Sequence, residues 1–124
     1  MKLLNDLFEI IDSSGNSSGF SVTIRIKSDH IVYKGHFPGY PVTPGVVFIQ
    51  MMHELIEHRL KKTIRLVEMS NCKFLKIVNP EKESTATISV DIVLKDKLLH
   101  VKAWGENNSG KFLKFDGVYT DSHA

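Results

Sequence analysis

The stretch GHFPGYPVTPGVVFIQMMHELIE, Gly35 to Glu57, gathers the residues of this chain best equipped for chemistry. Near its start stands His36, whose imidazole can take or give a proton near neutral pH. Pro38, Pro41 and Pro44 each push the preceding residue away from helical geometry, so residues His36 to Thr43 should form a stiff, extended loop. Thr43 is a good N-cap, and Pro44 loses nothing at a first helical position by lacking an N–H. Gly45 follows, with no side chain to screen the first free amides. A helix that begins here presents unpaired N–H groups and the positive end of its dipole. Such an end attracts a carbonyl oxygen or an anion and would make an oxyanion hole. The competing role for Gly45 is packing, in which a missing side chain lets a helix lie tight against a sheet. The sequence leaves both open.

The helix reads Val46, Val47, Phe48, Ile49, Met51, Met52, Leu55, Ile56, and its first two turns are apolar nearly all round, which predicts burial on nearly all sides. Gln50 is the one polar residue in that stretch. A buried carboxamide without partners costs about 1–3 kcal/mol, so Gln50 is either satisfied by backbone or a neighbour, or lines a pocket. Glu54 follows one turn later, about 5.4 Å along the axis on nearly the same face. The difference between them is chemical. A carboxamide holds a water or a hydroxyl by hydrogen bonds, but only the carboxyl group can transfer a proton in the ordinary pH range. Beyond Met52 the helix becomes amphipathic, with His53, Glu54, Glu57, His58 and Arg59, and leaves through Lys61 and Lys62. The run HELIEH lacks zinc spacing: a zincin helix needs histidines four apart, whereas His53 and His58 are five apart, about 140° round the helix. The pairs Glu54/His58 and His53/Glu57 read as solvated contacts one turn apart.

The elements that must position these groups follow from periodicity. LLNDLFEII has helical spacing, and DSSGNSSG, Asp12 to Gly19, reads as a flexible loop. FSVTIRIKS alternates, with Phe20, Val22, Ile24 and Ile26 on one face; HIVYKG extends or follows that strand. After the long helix come four strand-like segments, IRLVEMSNCKFLKIV, TATISVDIVLKD, KLLHVKAWGE and KFLKFDGVYT. Ala86, Ile88, Val90, Ile92 and Leu94 alternate most cleanly, and NPEKE, KDK and ENNSG divide the strands as turns. A single central helix must bury its apolar side on that sheet, which makes this an α+β domain with one antiparallel sheet curled over one helix.

At 124 residues the chain is one domain, 1–124, with a single core. It is 42% hydrophobic and 24% charged, as soluble globular proteins are, and a net charge of +2 gives no argument for nucleic acid. Cys72 is the one cysteine, which excludes an intrachain disulfide and suits a reducing compartment; it reads as a buried strand residue, not a nucleophile. His30, His100 and His123 read as structural. The start MKLLNDLFEIIDSSG lacks a signal-type apolar core, and no run reaches the length of a membrane span, so a cytoplasmic location is expected. The N-x-Ser sequons at Asn16 and Asn107 are read as accidental.

The run His36, Phe37, Pro38, Gly39, Tyr40, Pro41, Val42, Thr43, Pro44, Gly45, Val46 resembles the His-Phe-Pro-Gly-x-Pro-x-x-Pro-Gly-Val signature of the 3-hydroxyacyl-acyl-carrier-protein dehydratases of the hotdog fold. NCKFLKIVNPEKE, Asn71 to Glu83, is similar to that family's Lys-Phe strand and proline turn, more weakly. The resemblance implies a hotdog domain acting on 3-hydroxyacyl thioesters of acyl carrier protein to give trans-2-enoyl thioesters, in fatty acid or polyene-type biosynthesis. It implies that His36 takes the α-carbon proton and that the Gly45 amide polarises the thioester carbonyl. Pro44, Val46 and Phe37 would line the bound acyl group. The family's helix acid, contributed across a dimer, falls on Gln50 here. Members often carry a glutamine four residues after that acid, so the order is inverted in this chain, and Gln50 or Glu54 is left as the hydroxyl-side group.

The resemblance further implies an acyl carrier protein as partner, a homodimer or a heterodimer with another hotdog chain, or a higher oligomer, and no cofactor, metal, nucleic acid or membrane. Lys34, Arg59, Lys61, Lys62, Lys73 and Lys76 are candidates for docking an acidic carrier, with solvated surface charge as the alternative. Two other functions stay open. One is a non-catalytic or partner-dependent subunit that binds carrier-protein thioesters, suggested by Gln50. The other is an acyl thioesterase, for which Glu54 is the helix carboxylate nearest the site.

Overall fold

The structure, a computed structural model, describes residues 2–35 and 41–121. In chain order it comprises β1 (Phe8–Gly15), β2 (Gly19–Ile26), a short 3-10 helix (Ile31–Lys34), α1 (Gly45–Leu60), β3 (Ile64–Phe74), β4 (Thr85–Lys95), β5 (Leu98–Asn107) and β6 (Gly110–Asp121). The six strands form one antiparallel sheet in the order β1-β2-β4-β5-β6-β3. This is the curled sheet around one long helix expected from the periodicity, and it is the hotdog architecture.

Alternation sets which face of the sheet is buried. Phe20, Val22, Ile24 and Ile26 of β2 are buried, as are Ala86, Ile88, Val90 and Ile92 of β4, whose residues they oppose: Val22 pairs with Ile88 and Phe20 with Val90. Leu94, expected on that face, is exposed because β4 runs past the helix into the β4–β5 hairpin. Asp96 and Lys97 both adopt positive φ there, the conformation that a two-residue hairpin with the right twist demands. The helix contributes Val47, Phe48, Met51, Met52, Leu55 and Ile56 to the core, with Phe48 against Phe112 at 4.7 Å between ring centroids. Each such side chain contributes about 1.5–3 kcal/mol by leaving water.

The N-terminus differs from its helical reading. Leu3 to Leu7 make a single turn, closed by the Leu7 N–H donating to the Leu3 carbonyl at 2.8 Å, which buries Leu3, Leu7 and Phe8. Asn5 at φ 68° does not propagate a helix. From Phe8 the chain becomes β1, and the Ser/Gly/Asn run expected as a loop is hydrogen-bonded to β2 as far as Gly15. Strand pairing overrides the local pattern because β2 offers a ready edge. HIVYKG follows β2 as the 3-10 helix, capped by His30, whose Nδ1 accepts from the Val32 N–H.

α1 is less enclosed than its composition predicts. Val46 is exposed, and Gly45, Ile49, Gln50 and His53 are only half-buried, so one stripe of its N-terminal half is left uncovered by the described residues. No described helix is long and apolar enough to cross a membrane.

Candidate active site

Two elements fix the start of α1. The Thr43 N–H donates to the Val78 carbonyl at 2.9 Å, and the Thr43 hydroxyl shares a buried 2.8 Å hydrogen bond with the Tyr33 hydroxyl. Burial pushes the Tyr33 phenol above its ordinary range, a rise that the Thr43 bond opposes. Thr43 is therefore not the N-cap: it is spent on Tyr33. Pro44 occupies that position, with φ −61° and ψ 143°, and offers no side-chain cap. The first turn contains no acid, and the Pro44 carbonyl accepts from the Val47 N–H at 3.0 Å. Among the described residues nothing accepts from the Gly45 and Val46 amides. The bare helix end read from the sequence is thus present, and it is held rigidly by its two preceding residues.

Gly45 also has the packing role. A Cβ there would lie 2.5 Å from Cζ of Phe74 at the end of β3, so the glycine is what lets that half-exposed ring lie over the first turn. The sequence places Phe74 in the Lys-Phe strand of the family resemblance, but its partner on the helix is invisible there. Beside it Leu75 and Ile77 are exposed as well, with Lys76 between them and Lys73 just before the ring. His36 and Phe37 lie outside the described residues.

Glu54 departs most from its sequence reading. It is 6% exposed, not solvated, and makes no pair with His58. The Leu3 N–H donates to both of its carboxylate oxygens at 2.8 Å, and the Leu4 N–H donates to Oε1 at 2.8 Å. Gln50 Nε2 donates to Glu54 Oε2 at 2.9 Å. The reason is backbone chemistry: the first amides of the N-terminal turn have no acceptor within it, and a buried carboxylate supplies one. Gln50 lines an open groove of about 540 Å³ together with Lys2, Leu4, His53, Glu57 and His58.

The other titratable groups are structural. His53 meets Glu57 at 3.3 Å, as expected, and Glu57 also accepts from the Ile64 N–H. His30 Nε2 lies 3.0 Å from Asp6. Arg59 is engaged within the chain: it donates to the Gly15 carbonyl and to the Ser13 hydroxyl and lies over the Phe20 ring, pinning the β1–β2 hairpin to the helix. Burial raises the pKa of Cys72, which suits an unreactive strand thiol. Tyr119, missed by the sequence reading, is fully buried with its ring 5.7 Å from that of His53, and its hydroxyl has no hydrogen-bond partner among the described residues. Burial, then the charge of Cys72, drives its phenol far above the ordinary range.

Comparison with known proteins bears on the family and the fold. The family model for ApeI-like proteins, described as ApeI dehydratase, matches residues 12–111. The chain is 26% identical over 106 residues to a 3-hydroxyacyl-[acyl-carrier-protein] dehydratase FabZ of Lactiplantibacillus plantarum, covering 70% of this chain and 72% of that protein. Among solved structures it resembles the dehydratase heterocomplex ApeI:P from Xenorhabdus doucetiae, with TM-score 0.74 and 16% identity over 90% of this chain and 96% of that one. It also resembles a hypothetical thioesterase with coenzyme A from Streptococcus pneumoniae, with TM-score 0.66 and 12% identity over 93% and 85% of the two chains.

Proposed function

This chain belongs to the ApeI-like dehydratase family, and from that premise we propose that it dehydrates 3-hydroxyacyl thioesters carried on an acyl carrier protein to trans-2-enoyl thioesters. The observation that carries the reading is the start of α1, where the Gly45 and Val46 amides lack an acceptor and are immobilised by Thr43. A thioester carbonyl seated there gains the most as its oxygen takes up negative charge, which is when the α-proton leaves. His36, eight residues before Pro44, removes that proton; the C2–H electrons form the C2–C3 double bond, and the C3–O bond breaks to release water once its oxygen is protonated. Gln50 holds the hydroxyl and does not protonate it. Pro44, Val46 and Phe37 line the acyl group.

The proton donor is the open place in this chain. Glu54 is committed to the Leu3 and Leu4 amides and Gln50 is a carboxamide, which favours a second reading within the same reaction: a subunit whose acid comes from a second hotdog chain. β3 is a natural seat for it. It is the sheet edge next to the site, and Val67, Met69 and Phe74 along it are about half exposed. Thioester hydrolysis is disfavoured by the same engagement of Glu54 and by that of Glu57, the other carboxylate of α1, which is held by His53 and the Ile64 N–H.

The test is to give the purified protein 3-hydroxyacyl carrier-protein thioesters of several lengths and follow enoyl product and free thiol separately. Enoyl product without free thiol is expected, from the chain alone or with a related hotdog partner. Free thiol without enoyl product in either case overturns the dehydratase.

A further inference from the structure

Thr43 carries a hydroxyl that the helix beside it could use. A threonine oxygen at a helix start accepts from the N–H two or three residues ahead. Here those are Gly45 and Val46, whose amides donate to nothing among the described residues. Capping of that kind would need Pro44 to turn helical, to a ψ of about −40°, which the proline ring permits. Instead Pro44 stands extended at ψ 143°, and the Thr43 oxygen lies 2.8 Å from the Tyr33 hydroxyl.

Tyr33 is itself well fixed. Its ring is buried, its N–H donates to the His30 carbonyl at 3.1 Å, and the Gly35 N–H donates to its carbonyl. The Thr43 backbone is held from the other side by the Val78 carbonyl. The bond between the two hydroxyls is buried, where leaving a hydrogen bond unmade is costly.

We infer that Tyr33 is a positioning residue that keeps the Thr43 hydroxyl from capping α1, and so leaves the Gly45 and Val46 amides open to a ligand oxygen. This rests on the dehydratase reading, in which those amides receive the thioester carbonyl. Tyr33 touches no substrate; it removes an internal competitor. A hydroxyl seated on the two amides would have to be displaced before a substrate oxygen could draw on them as it gains charge. The helix start is therefore bare for a reason that lies outside the helix. A good capping residue is present, and a residue ten positions earlier holds it off.

The experiment uses the full chain, with a partner chain added if activity requires one. Tyr33→Phe keeps the ring and deletes the hydroxyl, which frees Thr43 to cap. Its kcat/KM for dehydration is expected to fall about tenfold, the scale of one helix cap, with more of the loss in kcat than in KM. Adding Thr43→Val removes the competing oxygen, and most of the lost activity is expected to return. A tyrosine that served only the fold predicts the opposite, because the second deletion would deepen the first. Amide exchange by NMR reads the same event without turnover. Gly45 and Val46 are expected to exchange freely in the wild type, one of them to become protected in Tyr33→Phe, and both to be free again in the double variant.

A double variant no more active than Tyr33→Phe overturns the inference, as does undiminished activity in Tyr33→Phe. So do Gly45 and Val46 amides that stay free in Tyr33→Phe. Protection of either amide in the wild type overturns it even if Tyr33→Phe does not fold. Absence of all dehydration, with the three exchange patterns as expected, would instead overturn the dehydratase reading and leave the role of Tyr33 at the helix start standing.

Discussion

Gln50 Nε2 donates to Glu54 Oε2 at 2.9 Å across one turn of α1, and it does so because Glu54 is buried as the acceptor for the Leu3 and Leu4 amides. Two residues that resemble an acid and its helper in exchanged order are thus a carboxamide and its anchor. That single relationship decides which substitutions should reach the chemistry and which should reach the fold.

Exchanging the pair, Gln50→Glu with Glu54→Gln, keeps the volume and the hydrogen bond while placing a carboxyl group at the hydroxyl side. Dehydration by the isolated chain is expected to rise by about 100-fold, the low end of what a positioned general acid contributes. Single-turnover assays of enoyl formation without any added partner would measure it.

Glu54→Ala removes the acceptor of the buried Leu3 amide, of the partly buried Leu4 amide and of one Gln50 N–H. A loss of about 2–3 kcal/mol is expected, since hydrogen bonds to a charged group are the stronger kind. Denaturant midpoints give the total, and amide exchange at Leu3 and Leu4 should quicken far more than at the β4–β5 centre.

Gly45→Ala puts a methyl group where the Phe74 ring lies, and overpacking of this sort costs about 1–3 kcal/mol. Because the ring is half exposed, it can be removed as a partner: Phe74→Ala should cancel most of that penalty in a thermal-unfolding double-mutant cycle. No cancellation would mean that the helix start itself, and not the ring, demands glycine.

Tyr119→Phe removes a buried hydroxyl that has no partner among the described residues and should stabilise the protein by about 1 kcal/mol. It should also change the alkaline limb. The folded-state phenol ionises at higher pH than it does in the unfolded chain, so its contribution to stability is fully present below about pH 10 and is lost as pH rises beyond that. Unfolding temperatures recorded between neutral and strongly alkaline pH are expected to fall less steeply in Tyr119→Phe, with Tyr33 supplying a remaining slope of the same sign.

His36→Ala should lower enoyl formation by about 100-fold or more without shifting the unfolding temperature, as expected for loss of a general base. Substantial activity in this variant would remove His36 from the proposed reaction.

The sequence by itself determined β2 to β6, the long helix and the place of the helix start. Period-two alternation in β2 and β4 and the proline-spaced entry to α1 are local signals, and local sterics enforce them wherever the chain goes. It also drew attention to Gln50 and Glu54, because polar groups on an apolar helix are conspicuous. Their roles were decided only in three dimensions. Glu54 meets amides about fifty positions away, Thr43 surrenders its capping hydroxyl to Tyr33, and Gly45 makes room for Phe74 of β3. The Ser/Gly run became β1 for the same reason, since a strand is defined by the edge it pairs with. A side chain's hydrogen-bonding capacity is written in its type, but the group that fills it comes from whichever distant segment the packing of the core brings alongside.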